Sequence, residues 1–296
     1  MKNYYFAFGR IATLLVGACI FFAASFARGH EEGAPFADAI IDPLLLHHAH
    51  IENEQRINFF ALRGVQTDLG GRSSAFESEL ELAYATHDFR YGFEFFVPIA
   101  DVPSPTGRGR EFGLGDIEVR PIKYAIFQRP SFILATASGV RLPTGSKSDG
   151  LGEGNTVYTQ YLFADMAAGN WFLGVNLAGA SNLTGESGSS FESGVVLSYS
   201  FISGTHGFEL AQVPPSQHWV VSPSVEFVDE RTFRGTQSGV HTSSVTPGLT
   251  FWHRPSGWQI HVGVSLPVSG EREANRIFLV QVGNHFNWGR LLGLRR

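Results

Sequence analysis

The sequence predicts an all-β protein, a transmembrane antiparallel up-and-down β-barrel of about 12 strands. Three observations predict it. Segments of roughly ten residues recur in which apolar and polar residues alternate, the length a tilted strand needs to cross a bilayer. Long and short connections between these segments also alternate. Finally, the chain opens with an export signal, yet no later apolar run approaches the roughly 18 residues of a membrane helix.

The leader comes first. Lys2 and Arg10 flank a short N-terminal region, Ile11–Ala24 is apolar, and Ser25-Phe26-Ala27 gives small residues where a signal peptidase reads. Residues 1–27 are therefore expected to be a cleaved signal peptide. Cys19 is the single cysteine. Apolar Ile20-Phe21-Phe22 continues past it, so it reads as an ordinary small residue of the leader rather than a lipid attachment site. Cleavage after Ala27 leaves 20 basic and 27 acidic residues, a net charge of −7, and no thiol chemistry. A net acidic chain argues against nucleic acid as a partner.

Residues 28–54 read as an irregular periplasmic segment. His47, His48 and His50 fall within it, without regular ligand spacing, and a polar segment is preferred there to a metal site. The barrel is expected over 55–288, with a basic tail at 289–296. Strands are expected at Gln55–Arg63, Phe76–Thr86, Phe89–Val97, Asp116–Ile126, Phe132–Leu142, Val157–Ala167, Trp171–Gly179, Phe191–Ile202, Trp219–Val228, Ser243–His253, Trp258–Leu266 and Arg276–Phe286. The third shows the period of two well: Phe89, Tyr91, Phe93, Phe95 and Val97 oppose Arg90, Gly92 and Glu94. The connections at His87-Asp88, Phe127–Ser131, Ala168–Asn170 and Arg254–Gly257 are short and alternate with long ones, as external loops alternate with periplasmic turns. Ser203–His218 breaks the rhythm, being long where a turn is expected; a missed strand or a periplasmic element would account for it.

Charged residues are tolerated in a barrel where they face its interior, since on the lipid side each costs a few kcal/mol near the midplane. Glu77, Glu79, Glu81, Arg90, Glu94, Glu118, Arg120 and Arg141 are accordingly expected to line the lumen, those other than Arg90 in its external half. Pro121 is expected to introduce a bulge that blurs the facing of Glu118, Arg120 and Arg141. Such a set either selects solutes or forms cross-strand ion pairs that fill the barrel, and the second is the commoner use.

The run ELELAYATHDFRYGFEFFVP, then GLGDIEVRPIKYAIF, then ATASGVRLPTGSKSDGLGEG resembles the outer-membrane transporter family known as meta-pathway phenol-degradation-like. Gly115-Asp116 and Leu142-Pro143-Thr144-Gly145 are the family-like marks. The resemblance implies an outer-membrane barrel admitting small molecules, aromatic or hydrophobic compounds among them, and supplies no catalytic residue. The last expected strand also resembles the signal by which barrels are recognised for assembly, through Gln281, Gly283, Phe286 and Trp288. Outer-membrane lipids, the barrel-assembly machinery and a small-molecule solute are the expected partners. No cofactor and no metal is expected.

Two other classes are weighed. In a barrel enzyme acting on lipids, His241 and Ser243 share a strand face, but no acid partner is evident and the pair falls in an expected loop. In an exported soluble β-sandwich, the same alternation would face water. Gly150–Gly154 has no helix after it and so fails as a phosphate loop. The protein is expected not to be an enzyme and to reside in the outer membrane.

Overall fold

A computed structural model describes residues 36–67, 70–107, 109–235, 238–270 and 274–285. The leader, Cys19, Phe286, Trp288 and the basic tail lie outside the described residues. Thirteen strand segments follow one another: β1 (Glu54–Gln66), β2 (Arg72–Ala85), β3 (Tyr91–Pro103), β4 (Arg110–Leu114), β5 (Glu118–Arg129), β6 (Phe132–Arg141), β7 (Val157–Ala168), β8 (Trp171–Asn182), β9 (Ser189–Tyr199), β10 (Trp219–Arg234), β11 (His241–His253), β12 (Trp258–Gly270) and β13 (Arg276–His285). Each pairs antiparallel with its neighbours, and β1 pairs with both β2 and β13, so the sheet closes. β4 and β5 pair with the outer and inner halves of β3 and act as one interrupted strand. The result is a closed 12-stranded barrel, which leaves no unpaired strand edge.

The outward face carries the apolar half of each alternating pattern. Tyr84, Tyr91, Trp171 and Trp219 are exposed near the short-turn end. Tyr91 packs on Tyr124 at 4.9 Å and Trp171 on Tyr199 at 4.9 Å, as in an interfacial aromatic girdle. Leu142, Phe191, Leu266 and Phe278 are exposed farther toward the long-loop end. Among the described residues no helix is long and apolar enough to cross a membrane.

Several connections differ from their expected form. β3 and β4 pair from Ile99–Leu114 to Pro103–Arg110, so most of the expected loop 100–113 is a hairpin extending past the wall. β10 runs to Arg234 and β11 starts at His241, which shortens the expected loop 229–242 in the same way. These extensions carry polar side chains and lack the apolar alternation that marks a strand in sequence. β3 begins at Tyr91 rather than Phe89. Phe89 adopts φ 54° in the turn, with Asp88 accepting from the Thr86 hydroxyl and the Arg90 N–H, and its ring lies buried against Phe36.

The largest difference concerns the segment before β1. Residues 36–53 are irregular as expected, but they lie inside the barrel rather than beyond it. Ala37 donates to the carbonyl of Pro130 and Asp38 to that of Ala211, both at the short-turn end. The chain then rises to Leu44–Leu46 and returns to β1. Its carboxylate-seeking amides and apolar side chains find partners on the inner wall, which a solvated segment would not have. The long connection 203–218 contains no strand; Ala211 and Val213 are buried, and the Val213 N–H donates to Asp38. It covers the point where the segment enters.

Candidate functional site: a plugged lumen

The inner wall combines polar and small residues with a few buried aromatics, Phe96, Tyr161 and Phe163 among them. Glu226 on β10 accepts from the backbone N–H groups of Leu44, Leu45 and Leu46 at 2.5, 2.9 and 3.1 Å. Asp165 on β7 accepts from Ala49 and His50 N–H at 2.8 and 3.3 Å and from the His50 ring at 3.1 Å. Gln281 on β13 donates to the Leu44 carbonyl at 2.6 Å. Side chains thus supply the hydrogen bonds that an irregular buried backbone cannot make to itself. The wall also makes room: a Cβ at Gly194 or Gly248 would overlap Leu46 or Leu44, and one at Gly263 would sit against Leu44 as well. Carboxylates, an amide and glycines together form a seat shaped to the segment.

Beside the seat lies a first charged cluster. Lys123 and Arg120 bracket Glu94 at 2.6 and 3.1 Å, and Arg120 also reaches Glu118 at 2.7 Å. The Arg120 guanidinium is sandwiched between the rings of Phe96 and Tyr161, 4.3 Å from each centroid, and donates to His47 at 2.7 Å. Burial holds the His47 imidazole well below its usual range, and the Arg120 charge adds to this, so His47 accepts. The second cluster holds Asp42, His48, His50, Glu52, Glu54, Arg56, Glu81 and His285 at the short-turn end, where β1 meets β13. Burial keeps His48 well below the usual imidazole range, followed by the charge of His50. Burial opposes the charge on His50 too, but Asp165 and Asp42 raise it to about 9.

Glu77, Glu79, Glu81, Glu94, Glu118, Arg120 and Arg141 point inward. Arg90 does not: it is exposed in the turn ahead of β3, because the strand starts one residue later. Glu81 and Glu94 lie toward the short-turn end rather than in the outer half, since β2 and β3 extend to Arg72 and Pro103. Pro121 sits in a register shift between Val119 and Ile122. After it the facing reverses, so Ile122 is exposed and Lys123 fully buried. Sequence alternation counted from Arg120 therefore misses Lys123. Asp165 and Glu226 escape a reading of the sequence for another reason: they sit on the inner faces of β7 and β10 beside residues such as Phe163 and Ser222, and their role is legible only beside the segment each binds. Of the assembly-signal residues, Gln281 and Gly283 lie on β13, and Gln281 also holds the segment.

Above Leu45 the lumen opens into a vestibule of about 760 Å³ toward the long-loop end. Val65, Val228, Val240 and Ile277 share its lining with Thr242, Ser244, Glu230 and Arg141. A solute with an apolar body and a polar group would meet both kinds of surface there.

His241 and Ser243 stand at the start of β11 rather than in a loop, and Asp229 on β10 supplies the acid not evident in sequence. The arrangement is not that of an activated nucleophile. The Ser243 hydroxyl donates to Asp229 at 2.6 Å, and His241 uses the same nitrogen, Nε2, for Asp229 at 2.5 Å and Ser243 at 3.2 Å. A general base needs its lone pair on the serine and its other nitrogen on the acid.

No protein-family model matches the chain, and no curated protein sequence matches it. Solved structures do. The COG4313 outer membrane channel from Pseudomonas putida F1 superimposes with a TM-score of 0.54 at 13% identity, over 83% of this chain and 100% of that one. The β domain of the Bordetella autotransporter BrkA gives 0.46 at 12% identity over 79% and 100% of the two chains. LpxR from Salmonella typhimurium gives 0.42 at 9% identity over 79% and 100%. At 13% identity the likeness to the channel is one of fold alone: a closed antiparallel β-barrel.

Proposed function

We propose that this protein resides in the outer membrane, with its apolar outer face against lipid, and passes small molecules through a lumen that its own segment 36–53 plugs. The carrying observation is the division of the interior. The outer half is a vestibule of about 760 Å³, and the inner half is filled by a segment seated on wall glycines and carboxylates. A barrel filled only for rigidity would use side chains of its own wall; here the filling is a loop held at one end by β1. The mixed lining of the vestibule fits small aromatic or hydrophobic solutes that carry a polar group. The fold shared with an outer membrane channel agrees with this reading. The Asp229–His241–Ser243 geometry speaks against hydrolysis, and we take the protein not to be an enzyme.

The test is conductance and solute flux of the purified barrel in lipid bilayers, compared with a variant lacking residues 36–50. The intact protein should conduct weakly or in brief openings. The deletion should conduct several-fold more while keeping heat-modifiable gel mobility. Equal conductance of the two would reject the plug, and no solute flux in either would reject the channel.

A further inference from the structure

We propose that Arg141, Glu153 and Glu230 form a charge filter between two chambers of the outer lumen, and that Asp116 is the residue that positions it. The proposal rests on the channel reading above and narrows the solutes that reading admits: neutral and cationic small molecules pass in preference to anions.

The vestibule adjoins a second cavity of about 400 Å³ among the long loops. This antechamber is balanced in charge, with Arg141, Lys147 and Arg234 against Glu153, Glu186 and Glu230. The vestibule sets Arg141 alone against Glu153 and Glu230, one cation against two carboxylates, a net of −1. Arg141, Glu153, Glu230 and Thr232 line both cavities, so they stand where one opens into the other. A solute moving between the two passes these charges. Charged side chains ringing a passage are a general means of selecting solutes by sign.

Arg141 and Glu230 are carried on β6 and β10, but Glu153 sits in a loop and is held there by Asp116. Asp116 Oδ1 accepts from the Gly145 N–H at 2.9 Å, and Oδ2 accepts from the N–H of Glu153 itself at 2.8 Å. Beside it the Thr144 hydroxyl donates to the Gly115 carbonyl at 2.8 Å and accepts from the Ile117 N–H at 2.9 Å. A Cβ at Gly152 would overlap Asp116 Oδ1, and one at Gly145 the Leu151 carbonyl, so the loop closes this tightly only with glycine at both places. Past Glu153, the Thr156 N–H donates to the Thr184 hydroxyl at 2.9 Å and the Leu183 N–H to the Thr156 carbonyl at 2.7 Å. The loop is thus fastened on both sides of Glu153, whose carboxylate meets Arg141 at 2.8 Å. That ion pair is no brace. Its side chains are 37% and 54% exposed, and a pair so open to solvent adds little to stability. Arg141 Nε also makes no hydrogen bond, so Glu153 leaves the guanidinium unsaturated. What the pair supplies is charge at the junction of the two cavities.

The experiment measures reversal potentials of the full-length barrel in planar bilayers across a potassium chloride gradient. Wild type should prefer potassium modestly. Glu153→Gln should lower the cation-over-anion permeability ratio at least about twofold, and Arg141→Gln should raise it. Two losses from one ion pair would then act in opposite directions, which a structural role does not produce. Asn at 116 would turn an amide N–H toward one of the two backbone N–H groups, so Asp116→Asn should free Glu153 and shift the ratio in the direction of Glu153→Gln. In a Glu153→Gln background it should add nothing. Glu209→Gln, in the connection at the short-turn end, should leave the ratio unchanged. Should Asp116→Asn lose heat-modifiable mobility, Thr144→Val loosens the same loop and takes its place. A conducting barrel whose ratio is unmoved by Glu153→Gln and Arg141→Gln, or moved in one direction by both, would overturn the filter and leave the channel standing. An added shift from Asp116→Asn in the Glu153→Gln background would overturn the positioning role. A wild-type barrel that conducts nothing would overturn channel and filter together.

Discussion

At the scale of single residues, inward-facing acids differ in what they hold. Glu81 accepts two hydrogen bonds from Arg56, at 3.0 and 2.8 Å, whereas Glu79 meets only the Asn58 amide at 3.2 Å. Removing one partner of a buried ion pair costs about 3–5 kcal/mol, because the other charge stays behind. Glu81→Gln should therefore lower the temperature at which the folded gel band converts to the unfolded one. Glu79→Gln should leave that temperature almost unchanged. If acids along the plugged lumen select ions, Glu79→Gln should also move the reversal potential in a salt gradient toward lower cation preference; an unchanged potential in the Glu79→Gln, Glu81→Gln double variant would remove selectivity from both. Lys123 makes the parallel case. It is fully buried on Glu94 at 2.6 Å, and Lys123→Met should cost about 3–5 kcal/mol despite sparing volume. On the outer wall, Ser243 donates to Asp229 rather than to an available imidazole lone pair. Ser243→Ala should leave solute flux unaltered, and the wild-type barrel should hydrolyse no added phospholipid; hydrolysis lost on this substitution would establish the enzyme reading instead.

At the scale of elements, a strand's inner face is written for whatever sits against it. β9, β11 and β12 place Gly194, Gly248 and Gly263 where Leu46 and Leu44 enter. Gly248→Val should drive Leu44 from its seat. Overpacking a filled site costs about 1–3 kcal/mol, and here the loop can leave more readily than the wall can deform. The expected outcome is a barrel of normal heat-modifiable mobility whose conductance rises toward that of the 36–50 deletion; unchanged conductance would place the plug elsewhere in solution. The same elements show what the sequence discloses. Apolar alternation marks the outward-facing half of nearly every strand, since Phe93, Trp171, Leu197 and Ile260 face outward with a period of two. It is silent beyond the apolar band, so the outer extensions of β3, β10 and β11 carry no strand signal in the sequence. It also fails at the register shift around Pro121, where one irregularity exchanges the faces and hides Lys123. The plug was illegible for a physical reason. Its partners, Asp165, Glu226 and His285, lie more than 100 residues away, and nothing local in DPLLLHHAHIENE distinguishes a segment solvated outside a barrel from one satisfied within it.

At the scale of the molecule, barrel and plug are held by different forces. The wall is closed by strand pairing all the way round, and in the proposed membrane setting its outer face would gain from lipid whether or not the lumen is filled. The plug is held by hydrogen bonds from its amides to Glu226 and Asp165, by Leu44 and Leu46 in their glycine seats, and by contacts at its base with Pro130 and Ala211. Water can replace those hydrogen bonds once it enters, so the net hold is far smaller than the number of contacts suggests. The wall can thus persist while the plug moves, which is what a gate requires. A covalent lock separates motion from mere presence. The single cysteine, Cys19, lies in the expected leader, so a pair introduced at Leu46 and Gly194, which touch across the lumen, would stand alone in the mature chain. When the Leu46→Cys, Gly194→Cys barrel is oxidised, solute flux should fall to background. On reduction it should recover to that of the reduced single variants, with gel mobility unchanged throughout. Flux that persists through the oxidised barrel would mean that solutes bypass the plug, and that residues 36–53 brace the wall instead of closing it.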